Sequence, residues 1–111
     1  MFMKASDTFR HPEYKHNCAQ CIVYKWNALF ADNGQFAEAA KSHGAGRAPE
    51  GLCGALFAAA CAVPNHRDEI IEEFKAKNGA TTCMELKVTL NVPCKQCIDV
   101  ADDLVEKYAN Q

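Results

Sequence analysis

Apolar residues recur at helical spacing along most of the chain. After Asn17, the residues Cys18, Cys21, Ile22, Trp26 and Leu29 share one face at three-to-four spacing. This predicts a helix that Asp32-Asn33-Gly34 stops. QFAEAAKSH (35–43) predicts a second, short helix, and GAGRAPEG (44–51) a glycine-rich loop. Pro49 is placed to open the next helix, because its missing N–H is no loss in a first turn. That helix carries LCGALFAAACAV (52–63) and is apolar all round, with Gly54, Ala55 and Ala58 to Ala60 keeping it thin. Such a helix belongs at the centre of a bundle. Its apolar run is too short to cross a bilayer.

The second half has clearer punctuation. NHRDEIIEEFKAKNG (65–79) predicts an amphipathic helix with Asn65 as N-cap, acids early, lysines late and Gly79 just past the end. Thr82 and Glu85 form a capping-box pair that makes Cys83 the first residue of a helical turn. KVTLNV (87–92) reads as a helix end and a loop. In NVPCKQCIDVADDLVEKY (91–108), Cys94, Cys97, Ile98, Ala101, Leu104, Val105 and Tyr108 form one apolar stripe. Lys95, Gln96, Asp99, Asp102, Asp103, Glu106 and Lys107 lie opposite, which predicts a solvated face. The expected fold is all-α, a compact bundle of five to six short helices. Residues 1–15 read as a flexible leader and 16–111 as a single helical, cysteine-rich domain.

Composition narrows the function. The 111 residues are 49% hydrophobic and 23% charged, enough to bury a core without disulfides. The net charge of −2, with no basic stripe, argues against a nucleic-acid binder. The opening MFMKASDTFRHPEYKH has no apolar segment, so no secretion signal or membrane insertion is expected, and a cytoplasmic location is. The seven cysteines cannot all pair within one chain. In a reducing compartment, clustered thiols bind metal or carry out redox chemistry rather than staple a fold.

Their placement is regular. Cys18 follows the N-cap candidate Asn17, Cys83 follows Thr82, Cys94 follows Pro93, and Cys53 lies shortly after Pro49. Four thiols therefore stand at or near inferred helix starts. Unpaired N–H groups and the helix dipole there favour a thiolate, the form that ligates metal or attacks a disulfide. Cys21 and Cys97 lie one turn deeper, at i+3 from Cys18 and Cys94, and read as packing residues or accessory thiols. Cys61 reads as a small buried hydrophobe. About seventy residues separate the two C-x2-C pairs, and both fall in helical pattern, unlike a zinc ribbon. His16 is a ligand candidate whose plainer role is a solvated side chain, and His11, His43 and His66 are expected at the surface. Trp26 and Phe30 are core candidates. The acidic face over 99–106 is a solvated surface or a dock for a basic electron-transfer partner.

NCAQ (17–20), GLCGAL (51–56), FKAKNGATTCMEL (74–86) and CKQCIDVADDL (94–104) together resemble the C_GCAxxG_C_C family of redox-active proteins, over nearly the whole of residues 16–108. The resemblance maps the family's four cysteines onto Cys18, Cys53, Cys83 and Cys94, the same four that stand at helix starts. It implies a small helical redox protein. A related domain in split-Soret cytochromes is associated with an iron–sulfur cluster, which implies four-cysteine ligation of iron, most simply as a [2Fe–2S] cluster. This chain has Ala58 where the family motif ends in glycine, and Cys21, Cys61 and Cys97 have no counterpart there.

Three functions follow as expectations. The first is electron transfer or redox sensing by an iron–sulfur cluster on Cys18, Cys53, Cys83 and Cys94, with a redox partner protein. The second is metal-free thiol–disulfide exchange at Cys18/Cys21 or Cys94/Cys97. The third is a zinc-stabilised helical binding module. No P-loop, dinucleotide fingerprint or Ser/His/Asp set supports a kinase, dehydrogenase or hydrolase.

Overall fold

A helix must find partners for its first N–H groups, and Asn17 supplies one. Its side-chain oxygen accepts from the Gln20 N–H at 2.8 Å, while the Gln20 side-chain oxygen accepts from the Asn17 N–H at 2.9 Å. Helix α1 (Cys18–Lys25) follows. The computed structural model describes residues 4–10, 12, 16–26, 29–30, 40–41 and 51–109. Helix α1 is shorter than its apolar pattern predicts. Leu29 N–H turns back to the Trp26 carbonyl at 2.9 Å, and the Leu29 side chain, expected on the buried face, is exposed. The cause is tertiary: Lys25 Nζ and Trp26 Nε1 both donate to Asp102, at 2.9 and 2.8 Å, and the helix ends where they anchor.

The expected helix over 35–43 lies outside the described residues except for Ala40 and Lys41. Their carbonyls accept from Asn17 Nδ2 at 2.9 and 3.1 Å. Residues 44–50, including Pro49, also lie outside them. Helix α2 (Gly54–Ala62) begins with Cys53 as its N-cap, so this cysteine precedes the helix instead of lying in its first turn. Helix α2 is the centre of the bundle and packs against α1, α3 and α4. Ala55, Ala58 and Ala59 are fully buried, and their small side chains let the neighbours approach closely.

A 3-10 turn, Pro64–His66, joins α2 to helix α3 (Arg67–Asn78). It takes up Asn65, so the N-cap position passes to His66, whose Nδ1 lies 2.9 Å from Glu69 Oε1. Gly79 closes α3 in the left-handed region at φ 93°, donating to the Lys75 carbonyl at 2.7 Å. A side chain there would also press on Leu90, with a Cβ only 3.0 Å from its Cδ1. A π-helical turn, Glu85–Thr89, leads to helix α4 (Cys94–Ala109). The stripe expected on α4 is buried from Cys97 through Ile98, Ala101, Leu104 and Val105 to Tyr108.

Asp102, expected on the solvated face, is only 4% exposed. Besides Lys25 and Trp26 it accepts from the Ala5 N–H at 3.0 Å, while Ser6 Oγ donates to Asp99 at 2.6 Å. The ammonium and two N–H donors offset the cost of burying this carboxylate. They also pack the 3-10 turn Ala5–Thr8 against α4. Among the described residues there is no strand, only isolated bridges between Phe9 and His16 and between Leu52 and Thr82, and the fold is all-α. None of the described helices is long and apolar enough to cross a membrane.

Candidate functional site: a cluster of thiols at the helix starts

The bridge between Leu52 and Thr82 assembles the site. Cys53 N–H donates to the Thr81 carbonyl at 2.9 Å, which locks the start of α2 to the chain entering the π turn and brings Cys53 and Cys83 to one place. Thr82 caps that turn as expected: its Oγ1 accepts from the Glu85 N–H at 3.3 Å and donates to Glu85 Oε1 at 2.9 Å. Leu90 N–H then reaches the Glu85 carbonyl at 3.0 Å, five residues back. Asn91 takes a positive φ of 55°, and Val92 N–H returns to the Leu86 carbonyl at 2.7 Å. Pro93 immediately precedes α4, and its carbonyl accepts from the Cys97 N–H at 3.2 Å. Helix α1 delivers Cys18 as its first residue.

The thiols act on one another's ionisation in sequence, Cys18 with Cys53 and Cys53 with Cys97. Lys87 Nζ donates to Cys97 Sγ at 3.6 Å and to the Val92 carbonyl at 3.0 Å, and Cys94 acts on the same ammonium. Cys83 lies within reach of the charges of Lys87, Cys18 and Cys94. Cys18, Cys53, Cys83, Cys94 and Cys97 are all free thiols.

Helix starts were expected to lower these thiols; at Cys18 and Cys53 backbone N–H groups do pull downward, but they are outweighed. The hydrogen bond to Cys53, then burial, pushes the Cys18 thiol well above its ordinary value, although the N–H groups of Ala19 and Ala55 pull it down. Cys53 is lowered by the bond it receives from Cys18. Its own bond to Cys97 and its burial prevail, and it is pushed up to about 12. Burial raises Cys83 against the pull of Lys87. Cys97 alone is lowered: the bond from Cys53 leads, and Lys87 helps to overcome burial. The Lys87 ammonium would lose affinity for its proton through burial, yet charge on Cys97 and Cys94 raises it. At Cys18 and Cys53, neighbouring thiols and burial together outweigh the downward pull of the backbone N–H groups.

The four cysteines expected to act together, Cys18, Cys53, Cys83 and Cys94, are therefore brought into one electrostatic neighbourhood. Cys97 joins them through its contact with Cys53; its place one turn after Cys94 was the sequence signal for it. Lys87 was missed, since no motif marks it. Cys21 is fully buried on the core face of α1, and Cys61 is half-buried late in α2, influenced by Arg67. His16 packs against Tyr24, ring centroids 5.2 Å apart, and burial lowers its pKa. His66 stacks on Tyr108, whose hydroxyl donates to Glu73. His11 and His43 lie outside the described residues.

Among the described residues no three His, Cys, Asp or Glu side chains stand as a ready cation cage. The donor set nevertheless fits a soft, thiolate-ligated group. The groups acting most strongly on these sulfurs are other sulfurs, backbone N–H groups and one ammonium, with no carboxylate among them. Fold and site together define a small all-α protein with clustered thiols. Compared with family models, with curated proteins and with solved structures, the chain matches none.

Proposed function

We propose that the protein is a redox protein of the cell interior that holds an iron–sulfur cluster, most simply [2Fe–2S], through Cys18, Cys53, Cys83 and Cys94, and exchanges electrons with a partner protein. The observation that carries this reading is the meeting of thiols from four separate stretches of chain beside one ammonium, Lys87. The resemblance to the C_GCAxxG_C_C family supports the same four residues. Iron–sulfur clusters are held by cysteine thiolates, and hydrogen bonds to sulfur tune their potentials. The sulfurs are neighbours rather than a finished cage, so loading turns side chains inward and displaces their protons.

The test is anaerobic reconstitution with ferrous iron and sulfide, followed by absorption spectroscopy and iron analysis. A coloured protein is expected, bleached by serine at Cys18, Cys53, Cys83 or Cys94. Full colour in all four single variants refutes the assignment. Zinc in place of iron gives a colourless, redox-silent protein and returns the zinc-stabilised module.

The contact of Cys18 with Cys53 favours one second reading, metal-free thiol–disulfide exchange. The pair would then be Cys18/Cys53 in place of Cys18/Cys21 or Cys94/Cys97. A small disulfide takes the two electrons: one thiolate of the pair displaces its first thiol to form a mixed disulfide, the other displaces its second, and Cys18–Cys53 closes. Loss of two titratable thiols on oxidation, abolished in Cys53→Ser, identifies this chemistry.

A further inference from the structure

Lys87 places a positive charge among the thiols without a negative partner. Its ammonium has the Val92 carbonyl at 3.0 Å and Cys97 Sγ at 3.6 Å, Cys94 acts on its ionisation, and among the described residues no carboxylate pairs with it. Two other lysines have carboxylates: Lys25 meets Asp102 at 2.9 Å and Lys107 meets Glu73 at 2.8 Å. Lys87 is half-buried, and holding a partly desolvated ammonium against neutral groups is unfavourable. The fold nonetheless places it there with an uncommon backbone. The turn Glu85–Thr89 is π-helical, Asn91 adopts a positive φ of 55°, and Val92 folds back to present its carbonyl to the ammonium. Turns of this kind concentrate at functional positions. Both the missing carboxylate and the unusual backbone are accounted for if the counter-charge is carried by sulfur.

We propose that Lys87 is the positioning cation of the thiol site. Its fixed charge stands 3.6 Å from Cys97 Sγ and favours added negative charge on the site; on the reading that the sulfurs carry an iron–sulfur cluster, it favours the reduced state. When one electron arrives from an external one-electron donor, the site gains one negative charge and no covalent bond is made or broken. A cation at hydrogen-bonding distance from a sulfur stabilises that added charge more than it stabilises the oxidised site. Cys97 transmits the effect, as the sulfur 3.6 Å from the ammonium whose ionisation is coupled to that of Cys53.

The test compares wild type, Lys87→Met and Lys87→Arg, each checked for helical content. After anaerobic loading with ferrous iron and sulfide, a reductive titration reads the midpoint potential. The metal-free proteins are titrated by ultraviolet thiolate absorbance against pH. In Lys87→Met the reduced-to-oxidised ratio at a fixed potential is expected to fall about tenfold, a shift of about −59 mV for a one-electron couple. Its first thiolate is expected at higher pH, and Lys87→Arg is expected to restore both. Iron-loaded Lys87→Met with the wild-type potential overturns the proposal while leaving the cluster assignment intact. If wild type takes up no iron, the cluster assignment falls and the thiolate titration decides for Lys87. A delayed thiolate in Lys87→Met then upholds its role, and an unchanged one overturns it.

Discussion

Cys53 N–H donates to the Thr81 carbonyl at 2.9 Å, and this one backbone bond ties the start of the central helix to the turn that carries Cys83 and Lys87. Thr82, next to it, sets where that turn begins. Thr82→Ala removes the acceptor for Glu85 N–H and is expected to cost about 1 kcal/mol, as cap losses do. Urea unfolding should show a lower midpoint with unchanged slope, and Thr82→Ser should retain most of the stability.

Asp102 joins three segments, accepting from Ala5, Lys25 and Trp26. Asp102→Ala leaves the Lys25 ammonium in a low-dielectric setting without its carboxylate. A loss of about 3–5 kcal/mol is expected, the scale for breaking one side of a buried pair. Exposed Asp103 one position on provides the control, and Asp103→Ala should stay within about 0.5 kcal/mol of wild type. Equal losses in the two variants would contradict the anchoring role of Asp102.

Helix α2 depends on small side chains. Ala59 is fully buried between neighbouring helices, so Ala59→Leu forces extra volume into a filled space and should cost about 1–3 kcal/mol or more. Ala76, exposed on α3, should accept leucine within about 0.5 kcal/mol. Thermal melts of the two variants check this directly.

The raised thiols make the metal-free protein sensitive to alkali. Cys53 rises from an ordinary 9.0 to about 12, and Cys18 is raised as well. Between those values the folded chain keeps protons that the unfolded chain has released, so stability falls as pH rises. The contribution is complete below the ordinary thiol value and lost as pH climbs through the folded value. Cys97, lowered, acts with the opposite sign, losing its contribution as pH falls through its folded value. Urea midpoints under reductant should therefore drop from neutral pH to pH about 10–11, and Cys53→Ser should flatten part of that drop.

Where helices begin was legible because the signals are local. The Asn17 cap, the Thr82 cap, Pro93 and Gly79 each act within a few residues of themselves, and all four operate in the fold. The apolar stripe of α4 was legible because burial of one face repeats with the helical period. Asn65 misled because Pro64 begins a 3-10 turn that moves the cap to His66.

The sequence alone determined an all-α chain with a thin apolar central helix and thiols at helix starts, because capping, periodicity and residue size are properties of short stretches. Tertiary structure decided that Asp102 goes inside, that Cys97 enters the thiol group, and that Lys87 faces sulfur. It also decided that most of these thiols hold their protons more tightly. Each of those outcomes depends on a partner supplied by a distant part of the chain, and the energy of a buried charge or thiol is set by that partner rather than by its neighbours in sequence.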